Sequence, residues 1–202
     1  MISYHWTRHF HRYEYPCRRN WLDKKVVMDV GCGTGFGLCC IAGVASKIYG
    51  VDISPTSFPI IANKQPQTMI LTMYSTPKFG GNAPLFVIPN SIYTVTQQVD
   101  VCVAVEIFEH MDNPQKFIDH LSTLCTELFI TTPLSDITKK TRNTNHVVEY
   151  SREDFQRIVS TRFEIVEAID QLSDMTTTTN APYSGDSIDE EHVVQMLWCK
   201  KK

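Results

Sequence analysis

The sequence lacks the features that mark several classes of protein. None of its seven cysteines forms a C-x-x-C pair, and several lie in apolar runs, which argues against a zinc site or a disulfide framework and favours reduced thiols in a cytoplasmic protein. No apolar run approaches 18 residues, and the first residues lack the apolar core of a signal peptide, so we expect neither a membrane span nor secretion. The formal net charge of −3 gives no general attraction to nucleic acid. No internal repeat is present.

What remains is the composition of a single globular domain. The 202 residues are 43% hydrophobic and 20% charged, and a chain of this length buries a substantial core.

A glycine-rich turn is the strongest local signal. The β-branched run 26–30 ends in four glycines at every second position, and the apolar stretch 38–42 follows them. This pattern predicts a strand, a tight turn and a helix. Glycine permits positive φ in such a turn, whose backbone N–H groups face a polar ligand. No register of the glycines gives G-x-G-x-x-G, which argues against a dehydrogenase.

An acid ends the next predicted strand, Lys47–Ile53. Asp52 lies about 20 residues past the first glycine, where a βαβ unit places a carboxylate against ribose hydroxyls. The alternative is an ordinary βαβ turn with a surface aspartate.

Together, the segments DVGCGTG and GVDIS resemble the S-adenosylmethionine (SAM) site of the class I methyltransferases. The resemblance implies a Rossmann-like, doubly wound α/β fold in a single domain, with a mostly parallel seven-stranded sheet whose last strand is antiparallel. It also implies that Asn90 and Ser91, which follow the third strand, contact the adenine, although an Asp is commoner at the first of these positions. The cofactor-binding residues expected in the body of the domain are Asp29, Gly31, Cys32, Gly33, Gly35, Asp52, Ile53, Asn90, Ser91 and Glu106.

Residues 1–22 predict an amphipathic helix. Its apolar side chains recur at steps of four and three, and Pro16 is expected to end it at Tyr15. The helix is either a flap packed on the sheet edge or a lid that also closes over SAM, with Arg12, Tyr13 or Tyr15 near the methionine carboxylate. We therefore divide the chain into a helical lid, 1–22, and a methyltransferase domain, 23–202.

Three titratable residues follow the predicted central strand 99–105. Glu106, Glu109 and His110 are spaced i, i+3 and i+4, so one helical turn starting there would point them the same way. They stand at the sheet edge where ligands bind in open α/β folds. On spacing alone they are either metal ligands or charges favoured by a helix N-terminus.

The E-x-x-E-H motif, followed by a histidine in the context NHVVEYSREDF, resembles the metal site of enzymes that methylate the terminal 2′-hydroxyl of small RNAs. Ubiquinone-pathway O-methyltransferases share its first part. The resemblance implies that Glu106, Glu109, His110 and His146 hold a divalent cation, Mn²⁺ or Mg²⁺. The alternative for His146 is a loop histidine that pairs with Glu149.

Such a cation lowers the pKa of a bound hydroxyl, and a vicinal diol chelates it while presenting one oxygen to the SAM methyl group. His110 or His146 would accept the proton, with Glu109 as the third catalytic residue.

The expected function is a SAM-dependent, metal-assisted O-methyltransferase for a hydroxyl beside a second hydroxyl. The net negative charge and the acid-rich segment 170–192, which we expect to be mobile near the substrate mouth, favour a glycan or small-molecule acceptor. The first 25 residues hold six Lys or Arg against two acids, and they keep an RNA 3′-terminal ribose as an alternative. A catechol is a third candidate, and a non-catalytic SAM-fold subunit that binds a partner protein is an alternative of another class. The oligomeric state is not predicted.

The rest of the chain carries local boundary signals. Asn113-Pro114 predicts a helix start, 128–133 a strand, and Ser151-x-x-Asp154 a capping box. The last two strands are expected at 163–169 and 193–198, and a short helix after Ser54.

Overall fold

The computed structural model describes residues 4–54, 83, 85–135, 147–172, 178–179 and 193–202, with the backbone alone at 4–8 and 178–179. His146, the helix expected after Ser54 and residues 180–192 lie outside the described residues.

Four helices and eight strands make up the described chain. The helices are α1 (Tyr4–Arg18), α2 (Phe36–Ala42), α3 (Pro114–Leu124) and α4 (Arg152–Val159). The strands are β1 (Val26–Val30), β2 (Lys47–Asp52), β3 (Leu85–Pro89), β4 (Val99–Ala104), β5 (Cys125–Pro133), β6 (Phe163–Gln171), β7 (Thr178–Thr179) and β8 (Val194–Lys201).

All strands form one sheet in the order β3-β2-β1-β4-β5-β8-β6-β7. The pairs from β3 to β5 are parallel, whereas β8 runs antiparallel to both β5 and β6. Seven strands carry the sheet, and the two-residue β7 adds to its β6 edge. The predicted Rossmann-like α/β fold with an antiparallel last strand is confirmed.

Helices cover both faces of the sheet. On one face, α1 and α2 cover a core that includes Leu38 of α2 and Phe129 of β5. On the other face, α3 and α4 cover a core that includes Phe117 of α3 and Phe155 of α4. Full burial of each such side chain contributes about 1.5–3 kcal/mol. The central strands therefore have apolar residues on both faces, and their polar residues concentrate at the strand ends, where the site lies.

Local signals position the helices as predicted. The Asn113 side chain accepts a hydrogen bond from the Lys116 N–H at 2.9 Å, with Pro114 in the first helical turn. The Ser151 hydroxyl accepts from the Asp154 N–H at 3.1 Å. Each cap satisfies an N–H group that has no partner within its own helix.

The prediction that α1 ends before Pro16 was wrong. The helix continues to Arg18, with the Arg19 N–H donating to the Tyr15 carbonyl at 3.1 Å. Only two helical residues follow Pro16, so little of the helix lies beyond the point that its ring disturbs. The buried Cys17, whose thiol reaches the Cys40 carbonyl at 3.6 Å, holds the last turn against α2.

The segment 170–192 was expected to be mobile, but its first two residues, Asp170 and Gln171, belong to β6. The Asp170 carboxylate is buried and receives two hydrogen bonds from the Arg152 guanidinium, at 2.6 and 2.7 Å. This aspartate is therefore a fixed part of the sheet end, because its charge is compensated inside the protein.

Among the described residues, no helix combines the length and the apolar character needed to cross a bilayer.

Candidate active site

The glycine turn has the geometry that its sequence requires. Gly31, Gly33 and Gly35 have φ of +73°, +53° and +85°, values that other residues rarely adopt. The N–H groups of Gly31 and Cys32 donate to the Val51 carbonyl at 2.8 and 3.1 Å, which fixes the turn to β2. Within the described part of the chain, a Cβ at Gly33 would meet no atom within 4 Å, which leaves the backbone of the turn open to a ligand there.

Asp52, at the end of β2, joins the turn. One of its carboxylate oxygens accepts from the Gly33 N–H and the other from the Ser54 N–H, both at 2.8 Å. Each oxygen keeps a second lone pair, so the carboxylate has acceptor capacity for two ligand hydroxyls. These two bonds fix its orientation.

A cavity of about 360 Å³ opens beside Asp52. It is lined by Gly31 of the turn, by Asn90 and Ser91 after β3, and by His110 after β4. Ile53 also lines it and is 74% exposed. Most of the residues predicted to surround the nucleoside part of SAM therefore share one cavity at the carboxyl ends of the parallel strands.

Helix α1 reaches the turn through Tyr13. The Tyr13 hydroxyl donates to Asp29 Oδ1 at 3.1 Å, and its ring lies where a Cβ at Gly37 would come within 2.1 Å of Cζ. Asp29 has no exposed surface, and its buried Oδ2 has no hydrogen-bond partner among the described residues. Burial raises the pKa of Asp29 to about 7, and the negative charge of Asp52 contributes to the rise. The hydrogen bond from Tyr13 lowers the pKa and offsets part of this rise.

Arg12, next to Tyr13, contacts a second acid. Its Nη1 lies 3.0 Å from Glu106 Oε2, and its Nε donates to Gln171 Oε1 at 2.7 Å. The Arg12 side chain is 4% exposed and the Glu106 side chain 17%, so the ion pair is largely buried. Arg12 therefore joins α1 to the carboxyl ends of β4 and β6.

Tyr15 is placed elsewhere. Its hydroxyl donates to Glu167 Oε1 at 3.2 Å, and its ring packs edge-on against Trp21. Since Glu167 also binds Arg19, Tyr15 belongs to the contact between the end of α1 and β6. The structure does not bring it to the cavity.

The motif after β4 does not form one helical turn. A short 3₁₀ turn covers Phe108–His110, and Glu106 precedes it with φ of +53°. The three side chains therefore have different surroundings: Glu106 faces Arg12, Glu109 is buried beneath Thr132, and His110 is exposed at the cavity. The expectation that they point the same way was wrong, because the left-handed conformation of Glu106 keeps it out of a regular helical turn with Glu109 and His110.

Glu109 is 1% exposed. Burial and then the nearby Glu106 carboxylate raise the pKa of Glu109 far above its usual value, while the Thr132 hydrogen bond and Arg12 offset only part of the rise. The Glu106 carboxylate and the Arg12 guanidinium are therefore both near enough to Glu109 to affect its pKa, in opposite directions. Within the part of the chain that the structure describes, no three His, Cys, Asp or Glu side chains converge as ligands for a metal ion.

Sequence reasoning missed two residues that bond these acids and a third that bonds Arg12. Thr131 and Thr132 at the end of β5 bond Glu106 and Glu109, and Gln171 bonds Arg12. No local pattern marks them, since threonine and glutamine are common at strand ends. The pairing of β5 with β4 brings the two threonines to the glutamates, and the packing of α1 brings Arg12 to Gln171.

The family of the chain follows from comparison with known proteins. The family model described as a methyltransferase domain matches residues 6–172, which is most of the chain and includes the glycine turn, Asp52 and the residues after β4. The chain belongs to this family of SAM-dependent methyltransferases. The match begins within α1, and the division into a lid and a domain stays a prediction.

One curated relative of this methyltransferase is the mitochondrial ubiquinone biosynthesis O-methyltransferase of Dictyostelium discoideum. The two are 33% identical over 110 residues, covering 48% of this chain and 31% of the relative. The chain thus matches about a third of the length of that protein.

Solved structures support the fold. The small RNA methyltransferase HEN1 matches with a TM-score of 0.68 at 19% identity, over 96% of this chain and 25% of that one. A SAM-dependent methyltransferase from Aquifex aeolicus matches at 0.63 and 14% identity, over 93% and 88% of the two chains. Magnesium protoporphyrin IX methyltransferase from Synechocystis PCC 6803, solved with SAM, matches at 0.61 and 16%, over 94% and 76%.

SAM fits the residues of this methyltransferase. Gly31 of the turn, Asp52 and Asn90 line one cavity, and the Gly33 N–H fixes the Asp52 carboxylate there. The turn would hold the methionine part, Asp52 the ribose hydroxyls and Asn90 the adenine edge. SAM supplies an electrophilic methyl group on sulfur, and the chain binds and orients it.

Proposed function

We propose that this methyltransferase transfers the SAM methyl group to a hydroxyl of a sugar diol with the help of a divalent cation. The observation that carries the proposal is the carboxylate pair Glu106 and Glu109, placed at the carboxyl end of β4 next to the cofactor cavity. A buried carboxylate is stable in its ionised form only beside positive charge.

The two glutamates differ in how their charge is compensated. Glu106 has Arg12 at 3.0 Å, whereas the side-chain hydrogen bond of Glu109 comes from the neutral Thr132 hydroxyl at 3.2 Å. A divalent cation beside Glu109 would compensate it and bring its pKa down. The donor chemistry of two carboxylates with imidazole suits Mn²⁺ and tolerates Mg²⁺.

The proposed ligands are Glu106, Glu109, His110 and His146. His146 lies outside the described residues, but its neighbour Val147 supports the set. The N–H groups of Val147 and Val148 donate to the Glu109 carbonyl at 3.0 and 3.2 Å. This contact fastens the segment after His146 to the turn that carries Glu109 and His110.

A divalent cation here would lower the pKa of an acceptor hydroxyl and orient it. The protein's own contribution is to hold the acceptor oxygen near the methyl group and to take its proton. His110 is the candidate base among the described residues, because it is exposed at the cavity that Asp52 also lines. Glu109, buried behind it, would act through its charge.

Charge pairing in the basic N-terminal segment supports a glycan or small-molecule acceptor over RNA. Arg12, Arg18, Arg19 and Lys25 each form an ion pair with a glutamate of this chain. Cations already paired within the protein add little attraction for phosphates. An RNA 3′-terminal ribose remains the second candidate because the small RNA methyltransferase HEN1 shares the fold over 96% of this chain.

We also propose a reducing compartment such as the cytoplasm. All seven cysteines are free and buried, as expected where thiols stay reduced.

The test is incubation of the protein with methyl-labelled SAM and three acceptors: oligosaccharides, an RNA with a 3′-terminal diol and a catechol. Each is run with Mn²⁺, with Mg²⁺ and with excess EDTA. We expect label in the oligosaccharide, dependence on the cation, and loss of turnover in Glu109→Gln with SAM affinity retained. Full activity in EDTA would remove the cation from the proposal, and label in RNA or catechol alone would change the acceptor.

A further inference from the structure

The part of the cofactor cavity that follows β3 has no α-helix of its own. Residues 90–98 join β3 to β4 and contain only a short 3₁₀ turn, Ile92–Thr94. Parallel strands are usually joined by a crossover of about a dozen residues or more, which commonly forms an α-helix. The residues of this segment that line the cavity, 90–93, therefore depend on a neighbouring element to hold them in place.

Hydrogen bonds within the segment give it its local shape. The Ser91 N–H donates to Asn90 Oδ1 at 2.8 Å, and the Thr94 hydroxyl donates to the Ser91 carbonyl at 2.8 Å. The Val95 N–H donates to the Ile92 carbonyl at 3.0 Å. These bonds all join residues of the same short segment, so they set its shape and leave its distance from the rest of the cavity to other contacts.

Helix α3 supplies such a contact. His120 Nε2 lies 2.8 Å from the Ile92 carbonyl, and because a carbonyl oxygen only accepts, Nε2 carries the proton and donates. The Tyr93 ring lies against the same helix, with its centroid 5.7 Å from that of the His120 ring and 4.6 Å from Lys116 Nζ. Lys116 and His120 are four residues apart, so they share one face of α3.

The start of α3 also forms part of the cavity. Asn113, Lys116 and Phe117 line it together with residues 90–93. The helix is fixed in place, because Phe117 is fully buried in the core on that face of the sheet. The hydrogen bond from His120, one turn beyond Lys116, therefore ties the segment 90–93 to the helix whose first turn lines the same cavity.

We propose that His120 is a positioning residue for the adenine end of SAM: its hydrogen bond to Ile92 holds Asn90 and Ser91 at the distance from α3 that the adenine requires. The inference rests on the placement of the adenine beside Asn90, and it does not depend on the metal-assisted function proposed above. Without this bond the segment would populate other positions. The measured affinity for the cofactor would then fall in proportion to the fraction of the protein that is competent to bind.

The test is calorimetric titration of the protein with S-adenosylhomocysteine and with 5′-methylthioadenosine, which keeps the nucleoside and lacks the amino acid part. Both titrations are run in EDTA and without a methyl acceptor. His120→Phe keeps an aromatic ring beside Tyr93 and removes the donor, whereas His120→Gln places an amide N–H where Nε2 stood. Thr123→Val is the matched control, because its hydroxyl donates to the His120 carbonyl at 2.7 Å, a bond that lies within α3.

We expect His120→Phe to weaken the binding of both ligands about 3- to 10-fold, the contribution of one hydrogen bond, while His120→Gln and Thr123→Val stay within about twofold of the wild type. Retained affinity in His120→Gln is the result that a purely structural effect of replacing the histidine would not produce. Thermal unfolding establishes that each variant is folded.

Wild-type affinity in His120→Phe would overturn the inference and leave the proposed function standing. Equal losses in His120→Phe and His120→Gln would also overturn it, because the donor would not be responsible. A loss for S-adenosylhomocysteine alone would overturn it too, since 5′-methylthioadenosine carries the same adenine. If His120→Phe does not fold, His120→Ala decides in its place. Methyl transfer that proceeds fully in EDTA would refute the metal-assisted function and leave this inference untouched.

Discussion

Asp29 should make the stability of the protein fall as the pH rises. This carboxyl has no exposed surface, and burial raises its pKa to about 7 from an ordinary value near 4. Between those two values the folded protein keeps a proton that the unfolded chain has released. Deprotonation therefore favours the unfolded chain, and the loss of stability is complete once the pH passes about 7.

The size of the effect follows from the shift. Each pH unit inside the window changes the free energy of unfolding by about 1.4 kcal/mol. From pH 5 to pH 8 this gives a loss of about 3 kcal/mol from Asp29, most of it below pH 7.

Asp29→Asn removes the titrating group and keeps an oxygen that accepts from the Tyr13 hydroxyl. We expect urea unfolding, followed by circular dichroism at pH 5 and pH 8, to show the wild type losing about 3 kcal/mol more than the variant over this range. Other buried carboxyls, Glu109 among them, change both proteins alike and cancel in the comparison. Parallel pH dependence in the two proteins would refute the assignment of a buried, protonated Asp29.

Two further predictions concern the attachment of α1. Gly37→Ala should lower the free energy of unfolding by about 1–3 kcal/mol, because the new Cβ would lie 2.1 Å from the Tyr13 ring and α1 must move. Thermal unfolding measures this loss. An unchanged melting temperature would contradict the packing of Tyr13 against Gly37. Arg12→Ala should cost about 3 kcal/mol by leaving the Glu106 charge without its partner, and clearly less in a Glu106→Gln background. Urea unfolding of the four proteins forms the double-mutant cycle, in which strictly additive losses would contradict the ion pair.

The sequence predicted the parts of the fold whose signals are local. Three such signals lie directly beside the helix that each of them begins: the glycine turn, the Asn113 cap and the Ser151 capping box. A few neighbouring residues therefore determine each helix start. The end of α1 was predicted wrongly, because Pro16 is a local stop signal and the contacts of Cys17 with α2 outweigh it.

The candidate site could be predicted only in part, for a similar reason. Asp52 and Gly31 follow from spacing within one βαβ unit, and the structure places both at the cavity. The partner of Glu106 could not be chosen from the sequence, because several basic residues of the N-terminal segment look alike and only the packing of α1 selects Arg12. The spacing of the E-x-x-E-H motif assumed a regular helical turn, and the left-handed Glu106 broke it.

The strand order has a consequence for how the chain is made. β8 lies between β5 and β6 in the sheet, although the ribosome adds it after both. While the polypeptide is still emerging, β6 has an open edge and no neighbour to join it to β5. The part of the sheet from β3 to β5 can therefore form during translation. β6 and β7 can join it only after β8, the last strand to be synthesised, has been added between β5 and β6.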